Sequence, residues 1–183
     1  MRKWNALLTA GILVLFLIHA VMGGFQLAGI LPGGNPVMHV LSWVMTALIF
    51  LHTLIGIVLT AQSLTALRKS GAPYFKENHL FWTRRISGFA VMFLILTHVL
   101  IFVGNRENGA YRLNAFGAVQ LASQIMLAAA LAVHVLTNIK PLMLALGAKG
   151  YREFVTDLLL ILSVILLLSG AAFVIYFVRW QAV

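Results

Sequence analysis

Apolar residues run almost unbroken along this chain, and the few interruptions define its elements. Apolar runs fall at about residues 6–31, 37–66, 82–104, 115–139 and 153–179, separated by clusters of Gly, Pro, Asn and charge. At about 1.5 Å per residue, each run is long enough to cross a ~30 Å hydrocarbon core as a helix. The pattern predicts an all-α membrane bundle of five transmembrane helices, forming one domain over residues 1–183. The first break, Leu31-Pro32-Gly33-Gly34-Asn35-Pro36, is a short uncharged turn. Glycine there supplies unusual backbone angles, and proline cannot continue a helix. Arg2 and Lys3 ahead of the first run resemble the basic start of a signal peptide. The run is long enough to span, however, and has no clear small-residue cleavage pattern, so it reads as the first span.

Composition agrees with a lipid environment: 62% of the 183 residues are hydrophobic and 9% charged, far from a soluble domain. The net charge of +9 would suggest nucleic acid in a soluble protein, but in a membrane protein basic residues first report topology. Of the 13 Lys and Arg residues, ten (Arg2, Lys3, Arg68, Lys69, Lys76, Arg84, Arg85, Lys140, Lys149, Arg152) fall on one side, and only Arg106, Arg112 and Arg179 on the other. The positive-inside rule therefore places the N-terminus in the cytoplasm and the C-terminus outside, with no nucleic-acid partner expected. Trp4, Trp82 and Tyr151 are the expected aromatic anchors at the cytoplasmic ends, and Tyr111, Phe116 and Trp180 at the outer ends.

Six histidines occur, and four of them, His19, His52, His98 and His134, lie well inside spans one to four, one per span. An imidazole in hydrocarbon is costly without a partner, so such residues face the bundle interior and serve a site. Four on consecutive helices point to metal or haem ligation. Counting along the helices, His19 and His98 both sit roughly 18 Å from the cytoplasmic boundary. His134 falls 5 residues and His52 14 residues from the cytoplasmic ends of their runs, a gap that helix tilt has to close. Depth thus pairs His19 with His98 toward the outside, and His52 with His134 toward the cytoplasm. Gly23, Gly56 and Asn138 each follow a histidine by four residues on the same helix face, which suits close approach of a flat macrocycle.

The donor chemistry narrows the ligand. With no cysteine, a thiolate-held iron–sulfur cluster and a covalent c-type haem are excluded. Zinc or a di-iron site would want carboxylates, yet Glu77, Glu107, Glu153 and Asp157 are the only acids and none lies near the four histidines. Haem needs only the imidazoles. Of the other histidines, His79 reads as a solvated residue of a cytoplasmic loop. His39 lies near the outer ends with Gln26, Ser42, Gln120 and Gln124, a possible polar pocket.

The order of one histidine on each of the first four of five spans, with Arg84-Arg85-Ile86-Ser87-Gly88 opening span three ahead of His98, resembles one family. It is the dihaem cytochrome b membrane-anchor subunit of succinate:quinone oxidoreductases, that is, succinate dehydrogenase or fumarate reductase. The resemblance covers essentially the whole chain. It implies two b haems, a distal one held by His19 and His98 and a proximal one by His52 and His134. It also implies a quinone, with menaquinone as the expected species, and cytoplasmic flavoprotein and iron–sulfur partner subunits that carry the dicarboxylate chemistry. The expected setting is the prokaryotic cytoplasmic membrane, with a higher oligomer of the complex left open. Arg84, Arg85 and Lys140 are candidates for the inner haem's propionates, since arginine suits carboxylate pairing. For quinone, an outer site beside Gln26, His39 and Gln124 competes with an inner site beside Arg85 and Ser87, and two stacked haems favour the outer one. Some menaquinol-oxidising members carry a glutamate two residues before the fourth haem histidine. This chain has Ala132 there, so its proton handling is expected to differ. The competing readings are another dihaem quinone-linked cytochrome, b561-like or hydrogenase-type, and a small transporter or scaffold whose histidines relay protons.

Overall fold

The structure, a computed structural model, describes residues 2–70, 79–103, 106–107, 110–111, 113, 116–147 and 152–181. Five helices carry the fold: α1 (Arg2–Leu27), α2 (Pro36–Ser70), α3 (His79–Phe102), α4 (Ala118–Ala145) and α5 (Arg152–Gln181). All five are long and apolar enough to cross a membrane. Among the described residues the only other regular element is a two-residue antiparallel ladder between α3 and α4, β1 (Arg106–Glu107) with β2 (Ala110–Tyr111). Large apolar side chains cover the outside of the bundle, with Leu167 74% and Phe93 67% exposed. In water such a surface would be an aggregation liability, whereas lipid is a good solvent for it.

Helix ends follow local chemistry more closely than they follow the edges of the apolar runs. Helix α1 stops at Leu27, not near residue 31, because the chain turns through Gly29 in the left-handed region (φ 76°). The side chain of Asn35 caps α2 by accepting from the backbone N–H of Val37 at 2.9 Å and of Met38 at 3.3 Å, with Pro36 in the first helical position. Helix α2 then runs past residue 66 to Ser70, ending on Arg68 and Lys69, whose charge suits a helix C-terminus. Helix α3 starts at His79, which is therefore an exposed helical residue and not a loop residue.

The largest departure from the apolar pattern is at the end of α4, which continues through Pro141 to Ala145. Proline has no N–H to give the carbonyl four residues earlier, here Thr137. Arg84 Nε supplies the missing donor from α3, 3.0 Å from the Thr137 oxygen. The helix therefore survives its proline, and its membrane-spanning part reaches about 9 Å beyond residue 139, where the apolar run ends. Counted from that end, His134 gains the depth it needs to meet His52. Because Arg84 and Pro141 compensate each other, Arg84→Ala is expected to destabilise the wild-type bundle more than it does a Pro141→Ala background. A double-mutant cycle on detergent unfolding should give a coupling of about 0.6–1.7 kcal/mol.

The packing divides the bundle into two hairpins and a buttress. Helix α1 packs on α2, and α3 packs on α4, while α5 lies against both α4 and α1. One buried cluster, Leu113, Phe116 and Phe173 with Phe102, Tyr176 and Leu27 around it, closes the end of the bundle near the α1–α2 turn. A second, Ile139, Val155 and Leu162 with Leu13 and Leu17, locks α1, α4 and α5 together nearer the other end. Phe116 is thus no lipid-facing anchor. It is fully buried against Tyr176, with ring centres 5.0 Å apart, because α5 covers the start of α4. Trp4 does project outward, 73% exposed. Lys76, Arg112, Lys149 and Tyr151 lie outside the described residues, as do the side chains of Tyr111 and Trp180. Apart from isolated approaches, α2 packs its backbone against α1 alone, which leaves a gap between the α1–α2 hairpin and the α3–α4 hairpin.

Candidate functional site

That gap is a cavity of about 880 Å³ running from Asn5, Arg84 and Arg85 at one end to Gln26 and His39 at the other. All four intramembrane histidines line it. It is mostly apolar and at the upper end of the range of cofactor pockets.

The histidines meet in two pairs, each bridging the hairpins. His19 of α1 faces His98 of α3 with ring centres 6.0 Å apart, and His52 of α2 faces His134 of α4 at 6.5 Å. The two pairs share the same 76° angle between ring planes. A metal held between two imidazole nitrogens at about 2.0–2.1 Å, with about 1.1 Å from each nitrogen to its ring centre, needs coaxial rings about 6.3 Å apart. Both pairs fall at that spacing. Among the described residues no three potential metal-binding side chains cluster, so each pair offers two imidazoles and nothing else. Two donors are too few for a tetrahedral zinc site, and their number is what a six-coordinate haem iron would require.

Hydrogen bonds settle which nitrogen of each ring carries the proton. His98 Nδ1 lies 2.7 Å from Gln124 Oε1, an acceptor, so Nδ1 carries the proton. His19 Nδ1 lies 3.0 Å from Ser42 Oγ, whose own proton goes to the Met38 carbonyl at 2.7 Å. His52 Nδ1 sits between Asn5 Oδ1 at 3.1 Å and Thr9 Oγ1 at 3.2 Å, and the Thr9 hydroxyl donates to the Asn5 carbonyl. His134 Nδ1 is 3.2 Å from Ser87 Oγ, which donates to the Arg84 carbonyl. In all four cases the imidazole donates through Nδ1 and keeps its Nε2 lone pair, the state in which histidine binds a metal. An interhelical hydrogen bond in a membrane protein averages about 0.6 kcal/mol, so these bonds orient the rings more than they hold the bundle.

The backbone makes room beside the rings. A Cβ at Gly88 would lie 3.1 Å from His134 Cε1, so the glycine allows the ring to lie against α3. Gly23 and Gly56 line the cavity, and a Cβ on either would meet nothing within 4 Å, so both open onto free space. Asn138 also lines the cavity, its amide donating to the His134 carbonyl at 2.6 Å.

The remaining candidates divide between the cavity and other duties. Arg84 and Arg85 line the cavity near His134, while Lys140 is exposed and outside the lining. Gln26 and His39 line the opposite end. Gln26 donates to the Pro32 carbonyl at 3.3 Å, and His39 Nε2 accepts from Trp43 Nε1 at 3.2 Å. Gln120 is used as a cap, accepting from the Gly117 N–H at 3.0 Å. Gln124 is fully buried against His98, and Ser87 is buried against His134. Asn5 and Thr9 had no signal in the sequence, since their role depends on α1 lying beside His52. Compared with family models, curated proteins and solved structures, the chain matches none.

Proposed function

We propose that this chain is the membrane-anchor cytochrome b subunit of a succinate:quinone oxidoreductase. In this reading His19 with His98, and His52 with His134, hold two b haems. The observation that carries it is the pair of facing imidazoles at 6.0 and 6.5 Å, each with Nδ1 donated away and Nε2 left for iron. Bound there, haem supplies one-electron transfer along the long axis of the bundle. The chain's own residues fix the ring orientations, exclude water from the cavity and, through Arg84 and Arg85, offer cations to the propionates of the inner group. The basic residues favour the N-terminal end as the cytoplasmic one. There, flavoprotein and iron–sulfur subunits would dock, since a chain with no cysteine cannot hold those clusters itself. Quinone fits best at the opposite end, beside Gln26 and His39. The His39 imidazole lines that end of the cavity and would serve as the proton acceptor there.

The test is to purify the chain in mild detergent from native membranes. The expected result is two haems b per chain by pyridine haemochrome, low-spin in both oxidation states, with a flavoprotein and an iron–sulfur protein in the same complex by native mass spectrometry. A protein with no Soret band ends the cytochrome reading. A haem-loaded chain that is stably alone, or found with a hydrogenase, ends the succinate:quinone reading but keeps the haems.

A further inference from the structure

The acceptors of the four imidazole protons are arranged reciprocally. In the first hairpin, Ser42 of α2 accepts from His19 of α1, while Asn5 and Thr9 of α1 accept from His52 of α2. In the second, Gln124 of α4 accepts from His98 of α3, while Ser87 of α3 accepts from His134 of α4. Each facing pair therefore has one ring bonded to a serine hydroxyl and one bonded to a side-chain amide oxygen.

The acceptors are unequal, and Gln124 stands apart, since the Asn5 amide oxygen lies 3.1 Å from His52 Nδ1, no closer than the hydroxyls. Each hydroxyl oxygen is already a donor to a backbone carbonyl, and its bond to the imidazole is 3.0–3.2 Å. The Gln124 bond is shorter, at 2.7 Å, and its side chain is wholly buried. The amide is also locked against flipping. Its nitrogen donates to Ser123 Oγ at 3.0 Å, and that hydroxyl donates to the Gln120 carbonyl at 2.7 Å.

Resting on the haem reading above, we propose that Gln124 is the positioning residue that holds His98 as an Nε2 ligand and sets the reduction potential of the group bound between His19 and His98. A strong acceptor on Nδ1–H gives the ring more imidazolate character, which favours ferric over ferrous iron and lowers the potential. Ser42, Ser87 and the Asn5–Thr9 pair orient the other three rings in the same way, with weaker acceptors.

The test is a potentiometric titration of the full-length haem-loaded chain, followed in the visible spectrum, for wild type, Gln124→Glu and Gln124→Leu, with haem content measured in each. Gln124→Glu keeps the shape and puts a carboxylate on His98. It is expected to move one of the two waves to more negative potential and leave the other in place. Gln124→Leu removes the acceptor, so the same wave should move positive, or that haem should be held roughly 10–100-fold less tightly. The same wave should be lost or displaced in His98→Ala. Unmoved waves in both variants with two haems retained would overturn the proposal, and so would equal shifts of both waves in Gln124→Glu. If the leucine variant cannot be recovered, the nearly isosteric glutamate variant decides alone. A wild-type chain that holds no haem defeats the underlying cytochrome reading, a result separate from any shift among the variants.

Discussion

On the dihaem reading proposed above, replacing His98 by alanine is expected to remove one haem, or convert it to high spin, and to leave the other untouched. His98 and His19 face each other across the cavity at 6.0 Å, whereas His52 and His134 form a separate pair, so the ligand sets share no residue. Iron with a single imidazole loses its sixth ligand and the low-spin state that goes with it. His19→Ala should therefore affect the same haem as His98→Ala, and the double variant should remove that haem while still leaving the other untouched. His52→Ala and His134→Ala should affect the other haem, and combining one variant from each pair should remove both. Pyridine haemochrome gives the count, and low-temperature electron paramagnetic resonance identifies which low-spin signal is lost. If the His19/His98 double variant lost both signals, the pairing across the hairpins would be wrong.

The second large effect concerns space. A Cβ at Gly88 would lie 3.1 Å from His134 Cε1, so a methyl group there makes the ring give by a few tenths of an ångström and a larger side chain makes it move further. Gly88→Val is expected to lose the haem held by His52 and His134, with Gly88→Ala weakening it by roughly 10-fold or more, as for other losses of ligand orientation. Gly56→Leu works by a different route. Its Cβ would meet no atom of the protein within 4 Å, and leucine is the better helix former by roughly 0.5–1 kcal/mol. The folded chain should thus tolerate Gly56→Leu, with unfolding unchanged or slightly harder, while losing haem because the side chain enters the cavity. A Gly56→Leu protein with both haems intact would mean that the macrocycle does not occupy that part of the gap.

These effects could not all be anticipated from the chain. The five spans were legible because hydrocarbon tolerates few polar residues, so the apolar runs stand out against Leu31–Pro36 and the basic loops. The four histidines were legible for the same reason, as polar residues where polarity is costly. Helix ends were less so. The apolar run ends near residue 139, and only the Arg84 side chain from another helix shows why α4 continues through Pro141 to Ala145. Phe116, read as an anchor by its position near a span end, is buried because α5 happens to cover it.

The polar residues of the site make the same distinction. Ser42, Ser87, Gln120 and Gln124 stood out by composition, but nothing in the chain separates a cap at Gly117 from an imidazole acceptor at His98. Asn5 and Thr9 sit near the chain start, 47 and 43 residues from the histidine they serve. What the sequence determined by itself is the set of five spans and the four imidazoles within them, because solvation free energy acts on each residue where it stands. What only the tertiary structure decided is how closely the paired rings approach each other and which oxygen takes each Nδ1 proton. It also decided where the backbone leaves a cavity, because these depend on how helices distant in the chain pack side by side.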